Sequence, residues 1–229
     1  MEPFSMNLTF IYFDFPFWRS EVGKLALHLG NVDFENKIIS GDEFQRVKKT
    51  GQLDDGTIIP FHQLPCLLVD DIPIAQTAGI ARFCGKLSGL YPKDNDVLAG
   101  QIDQILDFIT DMTVIVAWTG KDDNDEARII KRGDLAQGEL GRKLRMLEKN
   151  ILNNSTWALG DKMGLPDIAI WRFMGWLSCG SVEGLPTDIL KDYPNIRRLC
   201  HSVDQNPRIQ DWIDSTYPEN YNRGNYLID

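Results

Sequence analysis

With 229 residues, 43% of them hydrophobic and 25% charged, the chain has the composition of a folded globular protein and the length for one large domain or two small ones. A net charge of −9 disfavours nucleic acid and anionic membrane as main partners. No apolar run approaches the roughly 18 residues a membrane span needs, and MEPFSMNLTF lacks the basic and apolar regions of a secretory signal. The four cysteines, Cys66, Cys84, Cys179 and Cys200, form no CxxC and no zinc spacing, so they read as reduced thiols of a cytoplasmic protein. His28, His62 and His201 lie far apart in the sequence and suggest no metal site.

Residues 7–13, NLTFIYF, read as a strand from their β-branched and aromatic content. DFPFWRS follows as a loop around Pro16. Ser20 is placed as the cap of a helix over 21–29 that Gly30 ends, with Val22, Leu25, Ala26 and Leu29 as its buried stripe. A second strand is expected over 33–39. Residues 40–60 read as irregular around a short helix at 42–49, with a turn at Asp54-Asp55-Gly56.

The most informative stretch is 61–83, FHQLPCLLVDDIPIAQTAGIARF. Pro65 leads into an apolar strand, and the Leu64–Pro65 bond is a candidate cis peptide, with an ordinary trans bond as the alternative. Asp70-Asp71 makes a tight turn into Ile72-Pro73-Ile74. Pro73 cannot donate to a ladder, so this strand belongs at a sheet edge. A helix then starts at Thr77, its expected N-cap, with Ile80, Phe83, Cys84 and Leu87 at helical spacing.

Residues 85–95, GKLSGLYPKDN, are rich in turn formers and read as a linker. Beyond them the strand signals vanish. Ile102, Ile105, Leu106, Ile109, Met112 and Val116 mark a long amphipathic helix. A second helix spans 125–152, loosened near Gly133, Gly138 and Gly141. DIAIWRFMGWL, 167–177, is apolar all round and marks a buried central helix. Shorter helices are expected at 187–190, 195–204 and 207–214, before a draped tail, STYPENYNRGNYLID. The fold class is therefore an α/β N-terminal domain over 1–88 and an all-α C-terminal domain over 96–229.

QLPCLLVDD–IPIAQTAGIARF resembles the glutathione-binding half of cytosolic glutathione transferases, with Thr77 for the usual Ser and Phe83 for the usual Tyr. The order β-α-β-irregular-β-β-α is similar to that family's thioredoxin-like plan. DKMGLPDIAIWR resembles its central-helix motif, with Asp167 present but Gly164 where a Ser or Thr caps. LTFIYFDFPFWRSE is similar to the sigma-like branch, which includes glutathione-dependent prostaglandin D synthases, through Tyr12 and Arg19-Ser20-Glu21.

The resemblance implies a thioredoxin-like N-terminal domain, a helical C-terminal domain lining an electrophile pocket, a homodimer, and glutathione as co-substrate. Glutathione reacts as its thiolate, and a free thiol has a pKa of ~8.5, so the site needs a donor to the sulfur. Tyr12 is implied as that catalytic donor, with Arg19 beside it in the glutathione site. The spacing to Glu21 is one residue longer than usual. An ungapped comparison would put Phe13 at the donor position, whereas one inserted loop residue restores Tyr12, which we prefer because insertions fall in loops. A plain core role for Tyr12 is the other alternative.

Further contacts carry over from the resemblance. Gln76 and Thr77 would hold the γ-glutamyl carboxylate, and Leu64, before Pro65, would pair its backbone with the cysteinyl part. Gln63, Phe44 and Lys48 would flank the glycyl end, although Phe44 lacks the N–H of the usual Trp. Asp103, Asp107, Thr110 and Asp111 share a helix face, plainly read as a solvated acidic stripe. Asp111 matches an Asp that reaches the γ-glutamyl amine across the dimer. Trp118, Phe15 and Phe17 are implied as walls of the apolar electrophile's pocket. The expected activity is glutathione conjugation. The rivals are an isomerase of prostaglandin D synthase type and a non-catalytic scaffold or ligand carrier.

Overall fold

The computed structural model describes residues 6–151 and 155–226. The chain divides into two compact units, Met1–Lys93 and Asp94–Asp229. The first unit runs β1 (Leu8–Tyr12), α1 (Trp18–Leu29), β2 (Glu35–Ile38), α2 (Gly41–Thr50), a 3-10 turn (Pro60–His62), β3 (Cys66–Val69), β4 (Ile72–Ala75) and α3 (Thr77–Ser88). Its mixed sheet has the order β2-β1-β3-β4. Strand β1 is parallel to β2 and antiparallel to β3, which pairs antiparallel with β4. Pro73 does lie on the edge strand, Asp70 takes a φ of 54° in the turn, and the Leu64–Pro65 bond is cis.

Alternation along β1 sends successive side chains to opposite faces of the sheet. Phe10 faces α1 and α3, so close to Gly23 that a Cβ there would meet its ring at 2.9 Å. Ile11 points the other way, into a cluster with Ile39, Val47, Leu53, Ile59 and Cys66 on the α2 side. Burial holds the Cys66 and Cys84 thiols up to about 11 and about 12, so both are inert core residues.

Several local expectations are corrected. Helix α1 starts at Trp18 with extended Phe17 as its N-cap, and the Ser20 hydroxyl donates back to the Phe17 carbonyl at 3.1 Å instead of capping. Gly30 does end α1, with a right-handed φ of −83°. It is glycine because Ser88 passes so closely that a Cβ would sit 2.5 Å from it. Gln76, not Thr77, is the N-cap of α3, and α3 continues through Gly85 to Ser88, where left-handed Gly89 ends it. The linker therefore begins at 89 and not at 85.

The second unit is helical throughout: α4 (Asp96–Trp118), α5 (Asp125–Gln137), α6 (Glu139–Asn150), α7 (Leu165–Ser178), α8 (Pro194–Asp204) and α9 (Pro207–Thr216). The expected helix over 125–152 is two helices, because Gly138 leaves the helical region with ψ −111°. Gly133 and Gly141 stay helical, and the expected end at Leu152 lies outside the described residues. The segment 187–190 forms turns, too short for a helix. Helix α7 is buried on every side except at Trp176, packed on α4 and α8. Among the described residues no helix is long and apolar enough to cross a membrane.

The tail is more than draped. Tyr226 donates its hydroxyl to Asp204 Oδ1 at 2.7 Å and accepts from Trp171 Nε1 at 2.8 Å. Arg223 pairs with the same carboxylate at 2.9 Å, and the buried Arg172 donates to the Arg223 carbonyl at 3.3 Å. These bonds tie the tail to α7 and α8.

Gly164 caps α7 with no side-chain oxygen, so only the reciprocal half of a capping box survives. Asp167 accepts from Gly164 N at 2.8 Å, and its second oxygen accepts from Ala158 N at 2.7 Å. Desolvation by burial raises this carboxyl from 3.8 to about 6, against those two bonds. Asp167→Ala should lower stability by about 2–4 kcal/mol, because buried N–H groups lose their acceptor. That corresponds to a melting shift of roughly 4–16 °C in a chain of this size. A raised folded pKa means that ionisation opposes folding. The carboxyl's contribution is therefore full below about pH 4 and lost as pH rises through about 6. Asp167→Asn, which cannot ionise, should flatten that part of the melting-against-pH curve, whereas Asp167→Ala should lower melting at every pH.

Candidate functional site

The start of α3 has the chemistry to hold an anion. Gln76 sits at φ 70°, ψ 125°, a region that costs a non-glycine residue about 1–3 kcal/mol. No side chain caps the helix and no acidic residue stands in its first turn. The leading N–H groups therefore keep their partial positive charge and lack intrahelical acceptors. Thr77 follows at 3% exposure, and its hydroxyl has no hydrogen-bond partner among the described residues. A buried hydroxyl left unsatisfied costs about 1–3 kcal/mol, and a carboxylate at this helix end would relieve it.

Tyr12 is the last residue of β1, opposite Ile38 of β2. By strand alternation it shares the α1 side of the sheet with Phe10, whereas Phe13 packs with the α2-side cluster. The Tyr12 side chain is buried, and desolvation raises its hydroxyl well above the usual tyrosine value, with Arg19 opposing and Glu21 adding to the rise. At neutral pH it is a protonated phenol, able to donate. Arg19, on the first turn of α1, lies with its guanidinium 5.4 Å from the Trp18 ring centre. Burial lowers the Arg19 pKa and Tyr12 partly offsets this, so the two side chains share one electrostatic neighbourhood.

A run of rings crosses from Tyr12 to α2. Tyr12 meets Phe13 at 5.3 Å and Phe15 at 5.7 Å between ring centres. Phe13 and Phe15 stack at 5.8 Å with their planes 13° apart, and Phe17 continues from Phe15 at 6.0 Å. On the far side Phe44 stands edge-on to Phe13 at 5.1 Å, with the Lys48 amine 4.9 Å from its ring centre. Leu64 packs on the same cluster. The His62 ring lies 3.2 Å from the Lys48 carbonyl through Nδ1, beside exposed Gln63. Within the first unit, then, Tyr12, Phe15, Phe17, Phe44, Lys48 and Leu64 are linked by contact. Gln63 and cis-Pro65 stand at the entrance to β3, and Gln76 and Thr77 at the end of β4.

Asp111 and Trp118 belong to α4 of the second unit, and both are exposed. Lys121 lies 3.8 Å from the Trp118 ring centre. Thr110, grouped with the acidic stripe, turns its hydroxyl back to the Leu106 carbonyl at 2.9 Å. Two features were not legible in the sequence: the unpartnered state of the Thr77 hydroxyl, and the role of Phe13 as the bridge from Phe15 to Phe44.

A family profile described as "Glutathione S-transferase, C-terminal domain" matches residues 110–216. Hematopoietic prostaglandin D synthase of Gallus gallus is 24% identical over 196 residues, 85% of this chain and 89% of that protein. Glutathione S-transferase 1 of Ascaris suum is 27% identical over 199 residues, 84% of this chain and 89% of that protein. In three dimensions, prostaglandin synthase D of Nilaparvata lugens superposes with a TM-score of 0.78 at 22% identity, over 93% of this chain and 100% of that one. Profile and relatives agree in what the chain is similar to: the cytosolic glutathione transferases, and among them the sigma class.

Proposed function

We propose that this chain is a glutathione transferase that joins the glutathione sulfur to an electrophilic carbon of an apolar compound. The observation that carries the reading is the buried, unpartnered Thr77 hydroxyl at the uncapped start of α3, in the same unit as a buried Tyr12 kept protonated. In this reading Gln76, Thr77 and the α3 N–H groups hold the γ-glutamyl carboxylate, and the Leu64 backbone before Pro65 aligns the cysteinyl part. Gln63, Lys48 and Phe44 receive the glycyl end. Tyr12 donates to the sulfur, and Arg19 limits the cost of charge beside it. The thiol proton leaves to solvent, sulfur forms the bond to carbon, and the leaving group departs with its electron pair.

We further assign the chain to the cytoplasm as a homodimer, with Asp111 reaching the γ-glutamyl amine of glutathione on the second copy. Trp118, Phe15 and Phe17 face the electrophile. The likeness to the Gallus gallus prostaglandin D synthase supports a second reading, an isomerase that uses the same thiolate and regenerates glutathione. Retention on immobilised glutathione, release by free glutathione and turnover of a chlorodinitrobenzene are the outcomes expected of the first reading. Retention with turnover only of a prostaglandin endoperoxide would favour the second. No retention would leave the fold in a scaffold role.

A further inference from the structure

Resting on the glutathione transferase reading, we propose that His62 is a positioning residue for the glycyl end of glutathione. Its ring ties the last turn of α2 to the entrance of β3 and so fixes the spacing between the two sides of that subsite. Phe61 and His62, the two residues ahead of Gln63, stand at φ 58° and φ 54°. That is the left-handed region, which residues with side chains seldom enter. A glycine would hold this turn with less strain, and what the histidine adds is its ring.

The ring makes two contacts with the end of α2. The last carbonyls of a helix lack intrahelical partners, and His62 Nδ1 lies 3.2 Å from the carbonyl of Lys48. A carbonyl only accepts, so Nδ1 carries the proton and donates. The same ring covers Gly51, the left-handed C-cap of α2 at φ 75°, where a Cβ would sit 2.7 Å from Nε2. The residues read as glycyl contacts come from two segments: Phe44 and Lys48 from α2, and Gln63 from the approach to β3. His62 is the neighbour of Gln63 and bonds to the backbone of Lys48. Without that bond, α2 can slip against β3 and the gap between Lys48 and Gln63 changes. The γ-glutamyl contacts, Gln76 and Thr77, lie at the end of β4 and do not depend on α2.

The experiment is calorimetric titration of the full chain with glutathione and with γ-glutamylcysteine, which lacks the glycine. It is run on the wild type, His62→Gly and His62→Asn. Glycine and asparagine both suit a positive φ, so the turn itself is kept. Asparagine retains a side-chain N–H close to the place of Nδ1, and glycine has none. His62→Gly should weaken glutathione about three- to tenfold, the equivalent of one lost hydrogen bond, while γ-glutamylcysteine changes less than about twofold. His62→Asn should match the wild type for both ligands. Equal weakening of the two ligands in His62→Gly, no weakening there, or as large a loss in His62→Asn would overturn the positioning role while leaving the glutathione site standing. Failure of the wild type to bind glutathione itself would overturn the underlying reading and this inference with it.

Discussion

Tyr12→Phe is expected to bind glutathione almost normally and yet lose roughly ten- to hundredfold in turnover at neutral pH. The substitution keeps the ring that contacts Phe13 and Phe15 and removes only the donor. A hydrogen bond to a charged group contributes roughly 1.5–3 kcal/mol, which is about one to two pKa units of the bound thiol. The loss should fall on kcat more than on KM, because the bond strengthens as the thiolate forms. Raising the pH toward the free thiol value of ~8.5 should recover part of the rate, since the thiolate then forms without help. Burial keeps Tyr12 itself protonated across that range, so its own titration does not confuse the profile. Turnover that ignores the substitution at every pH would remove Tyr12 from the chemistry. Phe13, whose ring carries no N–H or O–H, cannot donate in its place.

Thr77→Val is expected to act in two opposite directions. It removes a buried hydroxyl that has no partner among the described residues, so the free protein should melt higher. A gain of roughly 1 kcal/mol corresponds to about 2–4 °C in a chain of this size. The same change removes a donor to the γ-glutamyl carboxylate. A charge-assisted bond of roughly 1.5–3 kcal/mol is equivalent to about ten- to hundredfold in affinity. Greater stability with weaker glutathione binding is the mark of a group retained for a ligand. If Thr77 were only a packing residue, the variant would bind glutathione unchanged, whatever its melting temperature. Thermal melting and calorimetry on one preparation separate the two cases.

The elements that rest on local chemistry were the legible ones. Pro73 marked the sheet edge because a missing N–H cannot be supplied by tertiary context. The all-round apolar α7 marked the helical unit's centre for a similar reason. Helix ends were less legible. Ser20 and Thr77 both looked like caps, but the residue before each helix had already taken the extended or strained conformation that starts it. Gly30 does stop α1, but the reason no side chain fits there, Ser88, lies 58 positions away in sequence and touches it in space. At the site, Tyr12 and Gln76-Thr77 stood out through their place beside a strand end and a helix start. The Phe44–Phe13–Phe15 continuity did not, because it joins α2 to the β1–α1 loop and no local pattern encodes such a contact.

The most direct test is the ionisation of the bound thiol. Glutathione would be held in excess protein and its thiolate absorbance followed against pH, for the wild type and Tyr12→Phe. The bound pKa should lie one to two units below the free value in the wild type and return toward ~8.5 in the variant. Glutathione that binds with an unshifted thiol, or a shift of equal size in both proteins, would contradict the role of Tyr12 as the thiolate's donor.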